Sequence, residues 1–181
     1  MRKKDLLLIR ELMDDGRLPL VELGRRLGVS HVAVGRRLRR LINSGLLRIR
    51  PELSLRKLGF RVAVILLEVG TSNELEELAK VFSSCPRMIM MIRLTGESML
   101  AIMFAEDQNT LESILGICSI RTRPEVRRSE VRIGEVVSPE FLPIKPPIRG
   151  NSPTAPCGMN CESCPRYLEN KCLACPATPQ Y

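Results

Sequence analysis

Between residues 58 and 138, strand-length apolar runs alternate with amphipathic stretches, and their order leaves few folds open. Leu58-Gly59-Phe60 leads into RVAVILLEVG, a continuous β-branched and apolar run that reads as a buried strand. Residues 73–82 place Leu75, Leu78, Ala79 and Phe82 on one helical face. Residues 88–94 predict a second strand, Thr95-Gly96-Glu97 a tight connection, and residues 99–104 a third strand. Leu111, Ile114 and Leu115 mark a second helix after Asp107. Residues 126–137 alternate as a last strand, with Val126, Arg128, Glu130 and Arg132 on one side and Arg127, Val131 and Ile133 on the other. The order β-α-β-β-α-β is the ferredoxin-like unit. Its helices cover one sheet face, and the other is expected to meet a second copy in a homodimer. Met88, Met90, Met91, Met99 and Met103 crowd the central strands. Thioethers suit Cu(I), but flexible methionines filling a core is the simpler reading. Cys85 and Cys118 stand apart and read as small core residues.

The first fifty residues are different in kind. They hold thirteen Lys/Arg against five Asp/Glu, whereas the remainder of the chain is neutral, so the whole net charge of +8 sits there. Such asymmetry argues for a localised polyanion-binding module. Apolar positions mark one helix from Asp5, with Leu8, Ile9, Leu12 and Met13 facing inward, and a second through Leu20, Leu23 and Leu27. Gly28 closes the second with a tight turn, and Gly24, lacking a Cβ, permits close approach. Ser30 is an N-cap residue for a third helix with Val34, Leu38 and Leu41 on its back. Four arginines occupy five positions on its front and shoulder. Two helices, a short turn and a basic helix make a helix-turn-helix by spacing. His31, Val32, Gly35 and Arg36 then lie toward base edges of double-stranded DNA, where Arg36 could fork onto a guanine, and the N-cap Ser30 belongs to the same DNA-binding surface. Arg37, Arg39 and Arg40 are expected to grip phosphates.

Residues 5–50 resemble the N-terminal helix-turn-helix of the Lrp/AsnC family of feast/famine transcription regulators. The resemblance is carried by Asp14-Asp15-Gly16-Arg17, Glu22-Leu23, Gly28-Val29-Ser30, Val34, Arg36-Arg37-Leu38, Arg40-Leu41 and Gly45-Leu46-Leu47. Leu58-Gly59, Leu94-Thr95-Gly96 and Pro124 with Val126-Arg127-Arg128-Ser129-Glu130 resemble the family's ligand-sensing, dimerising domain. The resemblance implies an α+β chain. A winged-type helix-turn-helix at 1–50 precedes a ferredoxin-like dimerisation domain at 51–138, a Pro-rich linker at 139–156 and a cysteine-rich module at 157–181. It also implies a cytoplasmic regulator that forms dimers or larger rings, with Thr95, Gly96, Glu97 and Ser98 as the loop for a small effector. The chain departs from the family there, because the aspartate that would meet an amino acid's ammonium group is missing.

Beyond six prolines between residues 139 and 156, the spacing is Cys157-x3-Cys161-x2-Cys164-x7-Cys172-x2-Cys175. Two Cys-x2-Cys pairs across a short loop suit zinc, with an iron–sulfur cluster as the alternative. So small a module has little core of its own, and structural zinc supplies on the order of 10 kcal/mol of folding free energy. A structural tail and a metal- or redox-sensing tail both fit this spacing. No apolar stretch exceeds strand length, so no membrane span is expected, and charged residues 1–15 do not read as a signal peptide. The alternative to a regulator is a siroheme-decarboxylase-like or iron–sulfur enzyme on the same architecture. Siroheme decarboxylases are rich in histidine around the third strand, whereas RMIMMIRL and MLAIMF contain neither histidine nor tyrosine. The chain therefore reads as a non-enzyme.

Overall fold

The computed structural model describes residues 2–181 and divides into two compact units, Met1–Pro51 and Glu52–Tyr181. The first contains α1 (Lys3–Asp14), α2 (Leu20–Leu27) and α3 (His31–Asn43). Leu8, Leu12, Leu23, Val34 and Leu41 are buried together, flanked by Ile9, Leu18, Leu27, Leu38 and Leu47. Burying each such aliphatic side chain contributes about 1.5–3 kcal/mol. Gly28 adopts φ +61 as the left-handed cap of α2. A Cβ on Gly24 would stand 2.7 Å from the Val29 carbonyl oxygen, so it is the turn into α3 that needs this glycine.

Two expectations for this unit are corrected. Met13 is 80% exposed, not inward. It lies one residue past Leu12, beyond the buried stripe of Asp5, Leu8 and Leu12, in the last turn of α1. The wing is also absent among the described residues: the unit contains helices only, and residues 46–50 form no strand.

The second unit contains β1 (Arg61–Val69), α4 (Ser72–Ser83), β2 (Met88–Arg93), β3 (Ser98–Ala105), α5 (Gln108–Ser113) and β4 (Val126–Gly134). All pairings are antiparallel in the order β2-β3-β1-β4, the ferredoxin-like arrangement. Thr71 and Asp107 cap α4 and α5, accepting from the amides of Glu74 (3.3 Å) and Thr110 (2.7 Å). A π-helical turn, Ile114–Cys118, continues α5. Ala63, Ile65 and Leu67 of β1 and Met99, Ala101 and Met103 of β3 meet Leu75, Leu78 and Phe82 of α4 and Leu111 of α5 in one core. Two of the crowded methionines are thus core-filling, while Met90 stays 43% exposed. A bulge at Glu68/Val69 shifts the register of β4, pairing Val126 with Val69. Val126 therefore packs on the core instead of siding with Arg128, Glu130 and Arg132.

The second sheet face is partly covered by the chain itself. Leu55 and Ile144 bury Val62 and Phe104, Phe60 stacks on Phe104 at 5.4 Å, and Leu53 bridges to Leu142. Leu66, Met90 and Ile92 remain exposed. Residues 139–156 form no helix or strand beyond that bridge, and the one later helix is α6 (Pro165–Leu168). Among the described residues no helix is long and apolar enough to cross a membrane.

Candidate functional site

Two sets of functional side chains were expected, one in each unit. In the first unit, Ser30 Oγ accepts from the Ala33 amide at 3.2 Å and starts α3. His31, Val32, Arg36 and Arg39 are exposed along α3, and Gly35 is half-buried beside Leu20. Arg37 and Arg40 are held from within: Nη1 of Arg37 lies 3.1 Å and Nη2 of Arg40 2.6 Å from the two carboxylate oxygens of Asp5. Asp5 is 2% exposed. Burial opposes its ionisation, yet the hydrogen bonds from Arg37 and the Arg2 amide, with the charges of Arg40 and Arg37, hold its carboxyl below the usual value.

One buried carboxylate thus orients two guanidiniums and cancels half of their charge. Arg25 and Arg26 are likewise engaged, both with Glu22 and the second also with Glu11. Their hydrogen bonds bring the Glu22 carboxyl down to about 2. Among the described residues Arg36 and Arg39 form no ion pair. Arg2, Arg36, Arg37 and Arg40 line one cleft of about 260 Å³, a cationic concavity suited to a phosphate group. The sequence reading missed Asp5, whose partners lie 32 and 35 residues away.

In the second unit, Thr95, Gly96 and Glu97 form the exposed β2–β3 turn and Ser98 opens β3. Glu97 takes φ +52, accepts from Ser72 Oγ at 3.2 Å and gives its carbonyl to the Val69 amide at 3.1 Å. Ser98 Oγ donates to the Gly96 carbonyl at 3.1 Å, a further local bond in this turn.

The cysteines gather elsewhere. Cys157, Cys161, Cys164, Cys172 and Cys175 all line one cavity of about 40 Å³, and Cys85 and Cys118 complete its wall. Every cysteine of the chain is therefore on the same surface, and all seven are free thiols. Cys85 sits in the loop after α4, and Cys118 ends the π-helical turn. The tail reaches them through polar contacts with α5: the Leu173 amide donates to Thr110 Oγ1 at 3.1 Å and Arg166 Nε to Ser113 Oγ at 2.9 Å. Gly150 and Ser152 donate their amides to the carbonyls of Pro176 (2.7 Å) and Ala177 (2.9 Å). Gly158 turns the chain after Cys157 at φ +85.

The thiols influence one another. Cys118 donates to Cys157, which keeps the Cys118 proton in place and holds Cys157 below the ordinary thiol value. Burial raises Cys85 and Cys172 and pushes Cys175 up to about 11. The charge of Arg87 opposes that rise at all three. Arg87 is 4% exposed and lines the cavity. Its Nε donates to Glu106 at 3.0 Å, and its guanidinium lies 5.6 Å from the Tyr181 ring centroid. Among the described residues, no three Cys, His, Asp or Glu side chains converge closely enough to hold a single metal ion. Cys85, Cys118 and Arg87 were invisible as site residues in the sequence, because no local spacing links them to the tail.

Comparison with known proteins bears on both units. Residues 1–42 match the AsnC-type helix-turn-helix domain. The leucine-responsive regulatory protein of Rhizobium meliloti is 32% identical over 99 residues, which are 52% of this chain. The chain spans 63% of that relative's length. Among solved structures, E. coli AsnC superposes with a TM-score of 0.65 at 21% identity, covering 81% of this chain and 99% of AsnC. B. subtilis LrpC gives 0.60 at 25% identity, over 76% and 98%. A Neisseria meningitidis transcriptional regulator in complex with L-Met gives 0.65 at 23%, over 81% and 96%. The chain therefore opens with an AsnC-type helix-turn-helix domain and shares the fold of AsnC and its structural relatives over about four-fifths of its length.

Proposed function

We propose that the protein is a sequence-specific, DNA-binding transcription regulator of Lrp/AsnC type, and not an enzyme. The observation that carries this is the exposed pair Arg36 and Arg39 on α3 of an AsnC-type helix-turn-helix. An arginine in the N-terminal half of such a helix is placed to read a guanine, while its neighbours set register on phosphates. The Asp5-held Arg37 and Arg40 fit the second task, because their remaining N–H groups are oriented outward at no further entropic cost. The matched Rhizobium meliloti relative is a regulatory protein, and the superposed Neisseria meningitidis structure is a transcriptional regulator. β2 and β3, the strands that would serve siroheme-type decarboxylation, carry no histidine.

The exposed apolar strip of Leu66, Met90 and Ile92 supports assembly through the open sheet face as a homodimer or larger ring. Two heads then favour paired half-sites. The Thr95–Ser98 turn lacks the aspartate that would meet an amino acid's ammonium group, so the thiol cavity is the better candidate for sensing, through a bound metal or a change of redox state.

The test is fluorescence anisotropy of the full chain against selected genomic fragments across a salt series. Affinity falls steeply with salt as phosphate contacts release counterions. Arg36→Ala with Arg39→Ala weakens site-specific binding by roughly ten- to a hundredfold, the value of a bidentate base contact, and flattens the salt slope by about one. Unchanged affinity in the double variant overturns this reading.

A further inference from the structure

We propose that Cys85 and Cys118 of the β-sheet domain join the cysteines of the tail in a single site for an iron–sulfur cluster, with the buried Arg87–Glu106 pair in its wall. The proposal rests on the metal-binding reading of the tail and does not require the DNA-binding one.

Four thiolates satisfy a zinc ion, and the tail alone contains five. A zinc module confined to residues 157–181 gives no reason for the two remaining cysteines of the chain to face the same cavity. They do, from the loop after α4 and from the end of a π-helical turn. The arrangement of the sulfurs also matters. Zinc draws all its sulfurs to about 2.3 Å from one point, whereas the seven cysteines line a space of about 40 Å³, well above the roughly 10–15 Å³ that one water needs. A four-iron cluster takes one thiolate at each iron, and a two-iron cluster two at each, so either spreads its ligands around a volume.

Arg87 is the independent observation. It is 4% exposed and lines the cavity, and its Nη2, although 2.9 Å from a Glu106 oxygen, makes no aligned hydrogen bond. A buried guanidinium lining the same cavity suits a thiolate-held cluster, whose sulfurs accept hydrogen bonds, although its charge is already met by Glu106. Met103 and Tyr167 add apolar wall that limits water. Uptake is ligand exchange: iron–thiolate bonds to the protein form, those to a donor thiolate break, each ligating thiol passes its proton to the departing thiolate, and no electron is transferred.

The probe is a preformed iron–sulfur cluster held by a small alkyl thiol, added anaerobically to the metal-free full-length chain. After desalting, the expected result is iron and sulfide retained in equal amounts with thiolate-to-iron charge-transfer absorption. Maleimide footprinting by mass spectrometry then shows Cys85 and Cys118 labelled several-fold more slowly in the loaded protein, and fast again after iron is chelated. Cys85→Ser with Cys118→Ser lowers retained iron several-fold. If that variant misfolds, the wild-type footprint still decides. Equal labelling of Cys85 and Cys118 in loaded and empty protein overturns the proposal, as does full loading of the double variant. Zinc bound without sulfide, protecting tail cysteines only, overturns the cluster and leaves the metal reading standing. Failure to retain any metal overturns both. Anisotropy on the same samples separates the regulator reading, since loss of DNA binding with loading intact overturns that reading alone.

Discussion

The helix-turn-helix head and the cysteine tail are both small, and they are held together by different means. The head buries Leu8, Leu12, Leu23, Val34 and Leu41 against one another. The tail's own buried cluster is Ala155, Cys161 and Ala174. Three small side chains cannot offset the entropy of ordering some 25 residues at about 1–2 kcal/mol each. The tail is ordered instead by backbone bonds from Gly150 and Ser152, by Thr110 and Ser113 of α5, and by Tyr181, whose hydroxyl donates to Glu106 at 3.1 Å. A self-sufficient apolar core makes a portable module. A borrowed polar interface makes one that responds to whatever occupies it.

Three measurements test that contrast. The largest effect is expected in the head: Leu23→Ala removes a fully buried side chain and costs about 2–5 kcal/mol, enough to melt α1–α3 at ambient temperature. Hydrogen exchange resolved by residue shows the loss confined to the first unit; equal loss in both units means the head is not independently stable. A smaller effect belongs to Gly150→Ala. Its Cβ would stand 2.5 Å from the Ala177 carbonyl oxygen, backbone that must move, at about 1–3 kcal/mol. Exchange protection falls across residues 150–178 and the head's melting is unchanged; retained tail protection shows that the Gly150–Ala177 contact does not hold the tail.

The smallest effect is the pH response of Asp5. Its carboxyl is depressed, so its contribution is complete above the unfolded value of about 4 and disappears as pH falls from there toward the folded value. The head's melting temperature drops below about pH 4 in the wild type. Asp5→Asn is weaker at neutral pH and nearly flat across that window, and parallel curves for the two proteins exclude Asp5 as the source.

What could be read in advance was what neighbouring residues decide. Ser30, Thr71 and Asp107 cap helices because a side-chain oxygen reaches an amide three residues on. The four strands followed from period and length, and the positive φ of Gly28 from its place after a helix. What escaped was set at a distance. Met13 has the right character for a core but the wrong angle in a helix that ends at Asp14. A single bulge reversed the side of Val126. Asp5 meets arginines a whole helix-turn-helix away, and Cys85 and Cys118 meet a tail that begins some forty residues after the second of them. No 3.6- or 2-residue period encodes such a meeting.

That last separation has a consequence for the unfolded chain. Cys85 and Cys175 are ninety positions apart, and both border the same cavity. Any ligand bonded to both closes a loop of about ninety residues. The lost freedom falls almost entirely on the unfolded ensemble, where a covalent link of that span is worth about 4–5 kcal/mol. Occupancy of the cavity then acts as a staple on residues 85–175, which include β2, β3, α5 and β4, and its loss lengthens the leash on every segment between.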